Sequence, residues 1–294
     1  MLTSSQTKTP TAIGIIGLGL MGNALAMRLF QSGFTIYGFD PDAECSAAFQ
    51  ALGGVLAGDA NGVLGTCDVV LLSLPSHREV GYVLREGAGY VRAGQILLDT
   101  TTGEPNSAVE YARELATRGV WYLDATISGS SVQAREGDVI WMVGGEQEAF
   151  DRCEVLFQCV AKEVVHAGAV GTGSKMKLVT NLVLGLNRAA LAEGLALARS
   201  LDLDLAQMLS VLLKSAAYSR IMDTKGEKMI SGDFTPVARL SQHLKDVRLI
   251  LDAAKPMSLP LSEMHRELLE KAVALGYGEL DNSAIIKAIQ EAST

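Results

Sequence analysis

The sequence predicts a doubly wound α/β sheet followed by an all-helical half, the two joined by one long helix. Three observations predict it. Short apolar runs alternate with helical patterns as far as His166; the stretch from Gly171 to Ser200 keeps a helical composition without a proline; and only helical periodicity follows Ser200. At 294 residues the chain has room for two domains. The boundaries expected are a polar, disordered tail over residues 1–11, a sheet domain over 12–168 and a helical domain over 169–294.

Composition narrows the partners. Hydrophobic residues make up 48% and charged residues 20%, ordinary for a globular chain with a substantial core. A net charge of −8 makes nucleic acid or an anionic membrane surface a poor partner. The longest apolar passages are broken by Asn, Arg or Glu before they reach a membrane span. Cys45, Cys67, Cys153 and Cys159 form no CxxC pair, and no histidine spacing suits zinc. Without a signal-peptide pattern they read as reduced thiols of a cytoplasmic protein with no metal site.

The first strand is the apolar run Ala12–Ile16, which leads directly into Gly17-Leu18-Gly19-Leu20-Met21-Gly22 and then a helical pattern. GxGxxG between a strand and a helix is a dinucleotide-binding turn of the Rossmann type. Gly17 allows the tight turn, Gly19 lets the backbone approach a pyrophosphate, and Gly22 brings the helix close to the strand. The helix N-terminus, opened by Leu20 and Met21, aims its N–H groups at the anion. Taken alone, the motif also fits a plain strand–turn–helix connection.

The next strand, Thr35–Phe39, ends on Asp40, 18 positions after Gly22 and near the spacing of a carboxylate that binds ribose hydroxyls. Pro41, Asp42, Ala43 and Glu44 follow, with no Lys or Arg to receive a 2′-phosphate, so NAD is favoured over NADP. The other reading of Asp40 is a turn or N-cap aspartate. A third strand, Cys67–Leu74, ends in a short loop, so Leu74 and Pro75 lie where cofactors sit in open α/β sheets. His77 opens the following helix as a surface or capping residue. Gln95–Leu98 leads into Asp99-Thr100-Thr101-Thr102-Gly103, whose hydroxyls, Thr102 included, either face a nicotinamide or mark an ordinary helix entry.

Trp121–Leu123 is a further strand. Beyond it, Ser128-Gly129-Ser130-Ser131 is either a backbone nest that cradles a carboxylate or a flexible linker between two strands. Val139–Val143 reads as a strand, Asp151–Val160 as a helix, and Glu163–His166 as the last strand, with His166 in a structural place.

The stretch from Gly171 to Ser200, rich in Ala, Leu and Met, predicts a helix roughly 40 Å long. Lys177 and Asn181 are four apart and share a face, whereas Lys175 points elsewhere. An ammonium beside a carboxamide can hold and protonate an oxygen atom; the same two residues are also compatible with a solvated surface. Further helices are expected over Leu205–Ala217, Arg239–Ala254, Glu263–Leu275 and Ser283–Ala292, with Pro236, Pro256 and Pro260 in the connections.

With these blocks in order, the chain resembles the β-hydroxyacid dehydrogenase family, which includes 3-hydroxyisobutyrate dehydrogenase and tartronate semialdehyde reductase and is akin to 6-phosphogluconate dehydrogenase. IGIIGLGLMGNALAMRL resembles the family's cofactor signature, DATISGSSVQAREGDVIWMVGG its substrate signature and GTGSKMKLVTN its catalytic signature. HLKDVRLILDAA and LDNSAIIKAI resemble its C-terminal blocks. The resemblance implies an NAD-dependent enzyme that transfers a hydride between the nicotinamide and a small β-hydroxy acid or semialdehyde. Lys177 would be the general acid/base, with Asn181 beside it on the substrate. Ser128, Gly129 and Ser130 would hold the substrate carboxylate, Lys245 would close over the cofactor, and Asp246 would orient that lysine. A homodimer or homotetramer is the usual state in the family. Thr126 replaces the family's usual proline and Ser130 its second glycine, which leaves the substrate open. Two other readings compete: an NADPH-dependent imine reductase, against which Lys177 and Asp40 argue, and a nucleotide-binding protein without catalysis.

Overall fold

The computed structural model describes residues 12–291, so the tail expected over 1–11 and the end of the expected terminal helix lie outside the described residues. The chain divides into two compact units, one reaching to Lys177 and one starting at Leu178. The division falls inside a single long helix.

The first unit runs β1 (Ala12–Ile16), α1 (Leu20–Gln31), β2 (Thr35–Phe39), α2 (Ala43–Ala51), β3 (Val55–Leu56), α3 (Ala60–Thr66), β4 (Val69–Leu72), α4 (His77–Glu86), β5 (Ile96–Asp99), α5 (Pro105–Ala116), β6 (Trp121–Ser128), α6 (Ser131–Glu136), β7 (Ile140–Gly144), α7 (Gln147–Arg152), α8 (Glu154–Val160) and β8 (Glu163–Gly168), and ends in the start of α9 (Thr172–Ser200). The strands form one sheet in the order β3-β2-β1-β4-β5-β6-β7-β8. The chain reverses its direction of travel between β1 and β4, so a crevice opens beyond the carboxyl ends of those two strands.

Buried on both faces, the central strands are continuously apolar. Ile13, Ile15, Leu71, Leu98 and Trp141 point to the face covered by α1 and α8. Ile16, Val70, Leu72, Leu97 and Tyr122 point to the face covered by α3, α4 and α5. Among the described strands of the sheet, the antiparallel pair is β6–β7. Its connection, Gly129 to Val139, falls short of the dozen or more residues a parallel crossover needs, and contains only the short α6. The single helix expected over Asp151–Val160 is two, α7 and α8, which break at the fully buried Cys153.

The second unit contains the rest of α9, then α10 (Leu205–Lys214), α11 (Ile221–Ser231), α12 (Leu240–Ala254), α13 (Pro260–Ala274), a 3₁₀ turn (Asn282–Ala284) and α14 (Ile285–Gln290). Its core gathers Leu191, Leu195, Met222, Leu244, Leu269 and Ile285. The sequence reading missed α11, because its buried face carries Lys225 and Gly226 among the apolar residues. Pro260 lies not in a connection but in the first turn of α13, where its missing N–H costs nothing. Among the described residues no helix is long and apolar enough to cross a membrane.

Candidate active site

The three glycines of the first turn differ in what requires them. Gly17 has φ +95°, and a Cβ there would collide with the Ser73 carbonyl. A Cβ at Gly22 would collide with the Gly17 carbonyl, which is the close helix–strand approach expected of the third glycine. At Gly19 a Cβ would meet no protein atom within 4 Å. Nothing among the described residues requires Gly19 to be small, and the space beside its backbone is open. Helix α1 starts on Gly19 with no side-chain cap and no acidic residue in its first turn. Its leading N–H groups, with exposed Leu20 and half-buried Met21 among them, are therefore available to an external anion. The residues present fit a dinucleotide pyrophosphate.

Asp40 follows β2 and is half-buried. Its Oδ2 accepts from the Leu18 N–H at 2.7 Å, and its Oδ1 accepts from the Asp42 N–H at 2.8 Å. Asp40 thus ties the glycine turn to the end of β2 while each oxygen keeps a second lone pair. The N-cap of α2 is Asp42, whose carboxylate accepts from Glu44 and Cys45. The competing N-cap reading therefore belongs to Asp42, two positions later, whereas the turn reading holds for Asp40 itself, which accepts from the N–H two residues on.

The loops after β4 and β5 are held together. The Leu74 N–H donates to the Thr101 hydroxyl at 3.1 Å, and the Thr100 hydroxyl donates to the Leu72 carbonyl at 2.9 Å. Tyr111 donates to the His77 carbonyl at 2.8 Å. Pro75 is exposed and Thr102 half-buried. His77 is the first residue of α4; Ser76, before it, is the cap. Beneath this loop pair, Asp99 is 6% exposed and accepts from Tyr122 at 2.5 Å and from the Thr101 N–H at 2.9 Å. Burial pushes the Asp99 carboxyl up to about 6 against the pull of those hydrogen bonds. The sequence reading placed Asp99 in a polar loop and gave it no role.

The stretch Ser128-Gly129-Ser130-Ser131 is no flexible linker, and part of its backbone is already committed. Ser128 is the last residue of β6, and Ser130 caps α6 in a reciprocal box with Gln133. The Ser130 N–H donates to the Gln133 side chain at 3.0 Å, which removes it from any anion cradle. Ser131 is buried. Gly129, at φ +147°, lies against Val139, where a Cβ would clash. Ser128 and Gly129 stay half-buried. Thr126 is fully buried, and its hydroxyl donates to the Gly173 carbonyl at 3.0 Å. Thr126 thus anchors the start of α9.

Asp124 completes the anchor. Its two oxygens accept from the Gly171 N–H at 2.8 Å and the Ser174 N–H at 2.6 Å, so a strand residue caps the helix that carries Lys177. Burial raises its carboxyl above the usual range, and those two N–H groups pull it back. Lys177 is half-buried one turn further along, and Asn181 one turn beyond it. Asn181 is only 5% exposed, which overturns the solvated-surface reading for that residue. Within the second unit its amide donates to Asp246 Oδ2 at 3.0 Å, while Asp246 Oδ1 lies 3.3 Å from the Lys245 ammonium. Asp246 therefore joins Asn181 of α9 to Lys245 of α12.

Comparison with known proteins agrees with this architecture. Residues 12–168 match the model of the NAD-binding domain of 6-phosphogluconate dehydrogenase, and residues 171–289 that described as NAD-binding of NADP-dependent 3-hydroxyisobutyrate dehydrogenase. The chain is 34% identical to 2-(hydroxymethyl)glutarate dehydrogenase of Eubacterium barkeri, over 95% of both chains. It is 31% identical to 2-hydroxy-3-oxopropionate reductase of Escherichia coli K12, over 95% of this chain and 97% of that one. A solved 3-hydroxyisobutyrate dehydrogenase from Salmonella typhimurium superposes with a TM-score of 0.88 at 30% identity, over 94% of this chain and 99% of that one. The chain belongs to the β-hydroxyacid dehydrogenase family of NAD(P)-dependent oxidoreductases.

Proposed function

We propose that the protein oxidises a small β-hydroxy acid, or reduces the matching semialdehyde, with NAD as the cofactor and Lys177 as the proton-transfer group. The observation that carries this reading is the Lys177–Asn181 pair one helical turn apart on α9, with the Asn181 amide held by a buried aspartate. The bound nicotinamide supplies hydride transfer. Lys177 takes the hydroxyl proton in oxidation and returns it to the forming alkoxide in reduction. Asn181, its orientation fixed by Asp246, hydrogen-bonds the same oxygen. Ser128 and Gly129 hold the substrate carboxylate, and Ser130 acts mainly by capping α6, a narrower part than the sequence suggested. Lys245 contacts the cofactor and takes its orientation from Asp246.

The preference for NAD rests on charge. Asp40, Asp42 and Glu44 follow β2 without a Lys or Arg among them, so a 2′-phosphate there would meet carboxylates only. Gly17, Gly19, Leu20, Met21 and Gly22 form the turn that takes the pyrophosphate, while Leu74, Pro75 and Thr102 border the nicotinamide half. We place the enzyme in the cytoplasm as a homodimer or homotetramer, which sedimentation at micromolar concentration would test.

The test is absorbance of the reduced nicotinamide against a panel of 3- and 4-hydroxy acids, sugar acids and semialdehydes, with NAD and NADP in parallel. Turnover is expected with NAD. Lys177→Ala should lose about 10²–10⁴-fold in kcat while binding the dinucleotide normally. Full turnover in that variant would overturn the lysine's role. Dinucleotide binding without turnover on any panel member would favour a protein that kept the fold and lost the chemistry.

A further inference from the structure

We infer that Asp99 and Thr101 are positioning residues for the dinucleotide, and that the charge on Asp99 sets how firmly the loop after β4 is held. This inference rests on the dinucleotide reading above and goes beyond it, because neither residue belongs to the glycine turn, the ribose carboxylate or the lysine pair.

The chain of contacts runs in one direction. The Leu74 N–H donates to the Thr101 hydroxyl oxygen at 3.1 Å. The Thr101 N–H donates to the Asp99 carboxylate at 2.9 Å. Tyr122 donates to the other carboxylate oxygen at 2.5 Å. An ionised Asp99 therefore holds the Thr101 backbone by a charge-assisted hydrogen bond and so keeps the Thr101 hydroxyl in place to accept from the Leu74 amide. Leu74 and Pro75 form the loop at the carboxyl end of β4, beside the point where the sheet order reverses, and Thr102 follows the same threonine run. One buried carboxylate thus fixes two of the loops that border the crevice.

The burial of this group is unusual for a mere turn aspartate. Asp99 is 6% exposed, Thr101 5% and Tyr122 3%. Among the described residues, the titrating groups that face the carboxylate are Tyr122 and Asp124 from β6 and Tyr111 from α5, none of them a cation, while β4 presents the apolar run Val69–Leu72. Burial and the neighbouring Asp124 charge raise its carboxyl to about 6, and the hydrogen bonds from Tyr122 and Thr101 oppose them. Protonation weakens the acceptor that holds Thr101, so dinucleotide affinity should fall as pH drops through about 6.

The experiment measures the dissociation constant of NADH by fluorescence between pH 5 and 8, together with amide exchange at Leu74 in the ligand-free protein. Thr101→Val keeps the side-chain shape and removes the hydroxyl; Thr101→Ser keeps the hydroxyl. The valine variant should bind NADH about five- to tenfold more weakly at pH 7.5 and exchange the Leu74 amide correspondingly faster, the loss expected for one hydrogen bond. The serine variant should restore both. Asp99→Asn should hold affinity at the wild type's low-pH value and abolish the pH dependence. Equal NADH affinity and equal Leu74 exchange in the valine, serine and wild-type proteins would overturn the inference while leaving the dinucleotide reading intact. A wild type that binds no NADH at any pH would overturn both.

Discussion

At the residue scale, the GxGxxG turn separates glycines that the fold needs from one that a ligand needs. Gly17 and Gly22 exclude a Cβ by collision with backbone carbonyls, whereas Gly19 has open space where its Cβ would be. Gly22→Ala should therefore destabilise the first unit by several kcal/mol or prevent its folding, since backbone must move to admit the methyl. Gly19→Ala should melt within a few degrees of the wild type yet bind NADH about tenfold more weakly, because the methyl occupies the approach to the pyrophosphate. Thermal melting and NADH titration of the two variants measure this directly. A Gly19→Ala protein with wild-type affinity would mean that the open space is not the phosphate approach. Thr126 makes the same distinction from the other direction. Its place in the substrate signature left the substrate open; its hydroxyl bonds to the Gly173 carbonyl in a fully buried setting.

At the element scale, the first turn of α9 is anchored by β6. Gly144 and Gly173 allow the close approach, since a Cβ on either would collide with backbone or with Asp124. Asp124→Ala removes the acceptor of two buried N–H groups, Gly171 and Ser174. The expected cost is about 2–4 kcal/mol, a lost cap plus unsatisfied donors, read from urea unfolding. Amide exchange should speed up over residues 171–177 before it does elsewhere in the unit. Strands and helices of this kind were largely legible in the sequence, because β1, β2, β4 and α9 announce themselves by local apolar pattern and composition. What stayed hidden depends on partners distant in sequence. Lys225 makes α11 look polar until Asp281 is seen 2.7 Å from its ammonium. The antiparallel return of β7 depends on the length of one connection. The Asp99–Tyr122 bond spans 23 positions and leaves no periodic trace. Within the site, the glycine turn, Asp40 and the Lys177–Asn181 spacing could be read; that Asp246 joins Asn181 and Lys245 could not be placed by spacing.

At the scale of the whole molecule, the two units carry buried titrating groups of opposite sign. In the helical unit, burial and then the Arg188 guanidinium push His265 down to about 4 from an ordinary value of 6.5. Its unfolded form binds the extra proton between those values, so the unit loses stability as pH falls from 6.5 toward 4. In the sheet unit Asp99 is raised to about 6 from an ordinary 3.8. There the folded form binds the extra proton, so stability is gained as pH falls through 6 toward 3.8. Asp124, raised by burial as well, acts in the same sense as Asp99. Between pH 7.5 and 5 the protection factors of core amides around Leu195 and Leu269 should therefore fall about tenfold or more, while those of Ile15 and Leu71 hold or rise. Exchange measured by mass spectrometry, with rates corrected for intrinsic pH dependence, resolves the two units in one sample. His265→Gln should flatten the helical unit's response, and Asp99→Asn that of the sheet unit. A parallel loss of protection in both units would mean that some group other than His265 and Asp99 governs the acid response. Opposed slopes would explain how a single melting temperature can stay nearly level with pH while each unit's own stability changes.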